Sequence, residues 1–118
     1  MDKLEELAQA ALRCDSLLVR SLSQDFLRET PQLAKCRKPH TNDAQVLAVA
    51  AALIELLAER LRQSPPDWTQ EVGPVSEPIY LVPSAASMKR LRTLCEQESP
   101  EPLRKRGFFA PPNFLEFA

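Results

Sequence analysis

The sequence predicts a mainly α fold, a small bundle of about four to five helices closed by a Pro-rich and mostly irregular C-terminal wrap. Three observations carry this. Residues 1–63 hold two of the eleven prolines and neither glycine, so little interrupts a helix there; nine prolines and both glycines follow Ser64. Val46, Val49, Ala50, Leu53, Leu57 and Leu61 recur at helical spacing, with Leu47, Ile54 and Leu56 beside them, which marks a helix apolar nearly all round. At 118 residues the chain has the size of one domain, read as a helical core over 1–63 and a Pro-rich segment over 64–118.

The elements follow in order. Leu4, Leu7, Ala8, Ala11 and Leu12, continued by Leu18, Leu22 and Phe26, predict one long or slightly broken helix over about 3–28. The break is expected at Cys14-Asp15-Ser16, because Asp and Ser compete for backbone hydrogen bonds. Thr30-Pro31 reads as an N-cap with proline at the first helical position, opening a short helix to about residue 38 or merely a turn. The run Pro39-His40-Thr41-Asn42-Asp43 launches the central helix, over about 43–63, and Ser64-Pro65-Pro66 stops it. Ile79-Tyr80-Leu81-Val82 lies between Pro78 and Pro83, which confines it to an edge strand or an extended loop. Ser84 can cap a helix over about 84–96 whose inner face is Ala85, Met88, Leu91, Leu94 and Cys95, and Ser99-Pro100 starts a turn of helix over about 100–105.

Composition excludes several functions. Fifteen basic against sixteen acidic residues give no surplus for phosphate binding, so no nucleic-acid partner is expected. Cys14, Cys36 and Cys95 are odd in number, far apart and read as free thiols. The start, Met1-Asp2-Lys3-Leu4-Glu5-Glu6, has no basic region followed by an apolar run, so a cytoplasmic chain without a signal peptide is expected. The longest apolar stretch, residues 44–58, is interrupted by Gln45 and Glu55 and falls short of the roughly 20 residues of a membrane span. His40 is the single histidine and has only Asp43 at ligand spacing, so neither a metal nor a cofactor is expected. Gly73 and Gly107 stand alone, which leaves no phosphate loop.

Glu55 is the one carboxylate placed against the core, with Glu59 one turn on. The pair supports two readings. In one, Glu55 meets an arginine of a neighbouring helix, Arg13 or Arg20, and fixes register; in the other, Glu55 and Glu59 work with arginines in an enzyme that handles a small molecule or nucleotide. The basic groups Lys89-Arg90-Arg92 and Arg104-Lys105-Arg106 read as solvated helix faces, since acidic residues match basic ones after Ser64.

Four of the five phenylalanines fall at positions 108, 109, 114 and 117, directly after Arg104-Lys105-Arg106. An aromatic terminus must fold back onto the domain or present anchors to a partner. The expected partner-binding set is Trp68, Tyr80, Phe108, Phe109, Phe114 and Phe117 as anchors, with Arg104 and Arg106 as a hydrogen-bonding rim.

The stretch 68–118 resembles a family of small uncharacterised bacterial proteins of cyanobacterial type. The resemblance rests on Pro65-Pro66-x-Trp68, Ile79-Tyr80-Leu81-Val82, Met88-x-x-Leu91-Arg92, Ser99-Pro100-x-x-Leu103-Arg104-x-Arg106 and Phe109-Ala110-Pro111-Pro112-Asn113-Phe114-Leu115. A similar pattern, with Phe at position 103 and Asn at 107, accompanies nucleotidyltransferase-like partners; this chain has Leu103 and Gly107 there and ends in Phe117-Ala118. The resemblance implies a recurrent C-terminal module rather than a reaction. The expected function is therefore a non-enzymatic interaction or assembly module, acting on a protein partner or on a second copy.

Overall fold

The computed structural model describes residues 2–82, 85 and 87–115. Helix α1 (Lys3–Leu12) starts where the Asp2 carboxylate accepts the Leu4 N–H at 2.9 Å, with Glu5 and Glu6 in the first turn beside the positive helix end. Helix α2 (Ser16–Glu29) starts in the same way, Asp15 accepting the Leu18 N–H at 3.2 Å. The break between them falls within Arg13-Cys14-Asp15, as the sequence predicts, with Cys14 in the left-handed region at φ 59°. In place of a helix after Thr30-Pro31 there is one 3-10 turn, Leu33–Lys35. Gln63 ties this loop to the end of the next helix: its side chain accepts from Leu33 N–H at 3.0 Å and donates to the Pro31 carbonyl at 3.1 Å.

Helix α3 (Ala44–Leu61) is capped by Asp43, which accepts from the N–H groups of Gln45 and Val46, and every residue from Ala48 to Ala58 is buried. Helix α1 packs on both α2 and α3, so α3 forms the axis of the core. It ends two residues before Ser64-Pro65-Pro66, at Arg62, whose backbone turns left-handed at φ 57°.

The second half wraps this axis. A 3-10 turn, Asp67–Glu71, precedes strand β1 (Ile79–Tyr80); helices α4 (Lys89–Glu98) and α5 (Glu101–Arg104) lead to strand β2 (Phe108–Phe109). The two strands pair in parallel, Ile79 opposite Phe108 and Tyr80 opposite Phe109. N–H groups of Val75, Ile79 and Leu81 reach the carbonyls of Arg106, Gly107 and Phe109 at 2.9–3.0 Å. The strand expected at an edge thus has a partner, and the partner is the aromatic tail itself. Gly107 permits the approach: its φ is +90°, and a Cβ there would lie 2.9 Å from Val75 Cγ2. Helix α4 starts at Lys89 rather than 84; Ser84 lies outside the described residues, and Ala85 sits in a turn with its N–H on the Val82 carbonyl at 3.3 Å.

Phe108, Ala110 and Leu115 are fully buried in the same cluster as Leu4, Leu53 and Leu57. The radius of gyration, 13.1 Å, matches the roughly 13.5 Å of one 118-residue domain. No helix of the described residues is long and apolar enough to cross a membrane.

Candidate functional site

Two places gather polar chemistry or exposed aromatic surface. The first is internal. Helix α3 carries Glu55 in the middle of its apolar run, 8% exposed, where a lone carboxylate costs several kcal/mol. The turn after α5 answers it. Arg106 Nη1 and Nη2 donate to the two Glu55 oxygens at 2.6 and 3.1 Å, and Lys105 Nζ stands 2.9 Å from Oε1. Arg106 also donates to the carbonyls of Thr69 at 2.7 Å, Val72 at 3.3 Å and Pro102 at 3.4 Å, which engages all five N–H groups of the guanidinium. Burial pushes the Glu55 carboxyl up, but the Arg106 and Lys105 hydrogen bonds and the Arg106 charge outweigh it and bring it to about 2. Glu55 is therefore ionised and bound on both oxygens at neutral pH, a poor state from which to move a proton.

This node corrects the expected pairing of Glu55 with Arg13 or Arg20. Both arginines are exposed, one at the end of α1 and the other on α2, and the partner comes instead from 51 residues along the chain. It also moves Arg106 from an expected surface rim to the interior, 3% exposed. Glu59, one turn beyond Glu55, is exposed. His40 is exposed as well, and among the described residues no group of three or more His, Cys, Asp or Glu is placed to hold a metal ion. Burial raises the thiols of Cys14, Cys95 and Cys36, the last to about 11 with a further push from Asp2, so none forms a thiolate readily at neutral pH.

The second place is the surface where β1, β2 and α4 meet. Pairing in register brings Tyr80 and Phe109 together, ring centroids 5.5 Å apart. The Arg92 guanidinium lies 5.4 Å from the Tyr80 ring centre, Arg92 Nε meets Glu96 at 3.2 Å, and the Tyr80 hydroxyl donates to Glu96. A separate groove has walls that include Val19, Leu81, Val82, Leu91, Phe114 and Leu115. Leu17, 82% exposed, and Met88, 55% exposed, stand next to groove residues in sequence or one helical turn away.

The structure distributes the expected binding residues between core and surface. Tyr80 and Phe109 share the face, and Phe114 lines the groove. Phe108 is fully buried beneath β2. Trp68 is half-buried, its indole N–H fixed on the Cys36 carbonyl at 2.9 Å. Arg104 is exposed and pairs with Glu101 at 3.3 Å. Phe117 lies outside the described residues. Sequence reasoning missed Arg92 and Glu96 as parts of the aromatic cluster, although their i,i+4 spacing on a helix was a visible pairing signal. For Leu17 no pattern could have served, since it reads as one more leucine of an amphipathic helix.

Neither a family model, nor a curated protein, nor a solved structure matches this chain.

Proposed function

We propose that the chain is a non-enzymatic interaction module of the cytoplasm, whose C-terminal segment closes its own core and thereby builds a docking face for a protein. The observation that carries this reading is the division of the tail. Arg106, Phe108, Ala110 and Leu115 are buried in the core, while Phe109 is left half-exposed against the Tyr80 ring and Phe114 half-exposed in the groove wall. Half-exposed aromatics with adjoining arginines are the groups that dominate interface energetics. Tyr80, Phe109 and Phe114 are the anchors in this reading, and Arg92 replaces Arg106 at the rim. The C-terminal module that the resemblance implies is, on this reading, a clasp first and a surface second.

The enzymatic alternative, acid–base work by Glu55 and Glu59, is disfavoured by the state of Glu55. Its oxygens are both occupied, and an acid near pH 2 holds no proton to give at neutral pH.

The test avoids truncation, which would remove core residues, and uses the face. Immobilised wild-type chain and the Tyr80→Ala and Phe109→Ala variants, matched for thermal unfolding, are compared for recovery of partner from native extract. Loss of a specific band with the variants is expected; equal recovery by all three overturns the face as the docking site.

A further inference from the structure

We infer that this face takes an acidic peptide segment of its partner, with a carboxylate in a cavity on α4 and an apolar side chain against the Tyr80 and Phe109 rings. The inference rests on the interaction reading above and names the chemistry of the partner.

The cavity adjoins the aromatic pair. Lys89, Arg92, Thr93 and Glu96 follow one another at steps of three, one and three residues, so α4 carries them on one side. All four line a cavity of about 430 Å³, together with Ala85 and Ser87. Two of them also hold Tyr80: the Arg92 guanidinium lies 5.4 Å from its ring centre, and its hydroxyl donates to Glu96. A segment of a few residues therefore reaches the cavity and the rings at once.

Charge selects the ligand. Arg92 Nε meets Glu96 Oε1 at 3.2 Å, so these two charges offset each other within the wall. Lys89 has no hydrogen bond or ion pair among the described residues, and its ammonium is the charge left over at the cavity. The Thr93 hydroxyl supplies a further donor there. The layout costs the free chain stability. Lys89, Arg90 and Arg92 crowd the first four residues of α4, where no acidic residue stands among them and the helix dipole disfavours cations. An incoming carboxylate relieves that repulsion, whereas a basic segment adds to it. A nucleic acid would find rings to stack on, but its backbone needs a track of cations, and this wall offers two cations and one acid.

The full chain is titrated into a fluorescein-labelled peptide, Gly-Glu-Glu-Leu-Phe-Glu-Glu-Gly, and into its counterpart with glutamine at every glutamate, and fluorescence anisotropy is read. Saturable binding of the acidic peptide alone is expected, weakening at least about fivefold between about 50 and about 500 mM salt. Lys89→Glu is expected to weaken it at least about tenfold by reversing the free charge. Its thermal midpoint stays unchanged or rises, because Lys89 is exposed and an acidic residue suits the start of a helix. Tyr80→Ala weakens binding as well, through loss of the ring. Failure of the acidic peptide to bind, equal binding of the glutamine peptide, or wild-type affinity in Lys89→Glu overturns the inference, and so does displacement of the peptide by oligothymidylate. An extract partner that depends on Tyr80 and Phe109 but is indifferent to Lys89→Glu removes the acidic ligand alone and leaves the broader interaction reading standing.

Discussion

At the scale of single residues, Glu55 and Arg106 govern stability. The Glu55 carboxyl stands at about 2 in the folded chain against an ordinary 4.5. Its contribution is therefore complete above about pH 4.5 and drains away as pH falls toward 2, an effect on the order of 3 kcal/mol. Urea unfolding between pH 7 and pH 2 should show this loss in the wild type. Glu55→Gln should cost about 3–5 kcal/mol at pH 7 and flatten that part of the pH profile, because it strands a guanidinium in the core. Glu55→Leu combined with Arg106→Met should recover much of the loss, since neither charge then remains to be solvated. The sequence singled out Glu55 by its place in an apolar helix, but not its partner. A contact spanning 51 residues leaves no local spacing to read, whereas Arg13 and Arg20 were merely nearer in the chain.

At the scale of elements, legibility tracks the agreement between local signals. Helix α3 combines an Asp cap, a long apolar run and a proline stop, and its observed span lies inside the expected one. The break at Cys14 was equally visible, because Asp15 both ends one helix and caps the next. Strand β2 was invisible: two residues show no alternation, and Phe108-Phe109 read as part of an aromatic tail. Only the pairing with β1 makes it a strand. Helix α4 sits between these cases, with apolar spacing but no cap and reversed end charges. Met88 has the extended backbone of a cap residue, φ −107° and ψ 100°, close to that of Asp43 at −86° and 113°. Met88→Asp should therefore raise stability by about 1 kcal/mol, seen in chemical unfolding. Amide exchange in wild-type α4 should be faster than in α3, and the substitution should slow it.

At the scale of the whole molecule, the division at Ser64 proves to be a division of labour within one core. The N-terminal half supplies the axis and the C-terminal half supplies its cover, down to the Arg60 guanidinium, which donates to the carbonyls of Pro112 and Phe114. That a Pro-rich half would wrap was legible from its breakers; where it would be stitched was not, because the stitches are backbone bonds that any side chain permits. A chain ending after Lys105 should lose cooperative unfolding and bind a hydrophobic dye, because it lacks Phe108, Ala110 and Leu115 and leaves Glu55 without its fork. The same connection sets a schedule for the nascent chain. At roughly 5–20 residues per second, Arg106 is made about 3–10 s after Glu55, an interval long beside helix formation. Throughout it the α3 carboxylate must stay hydrated, which holds the half-made bundle open at that spot. The protein thus carries a timer in its own sequence: the core cannot seal until the ribosome has delivered the residue that neutralises it.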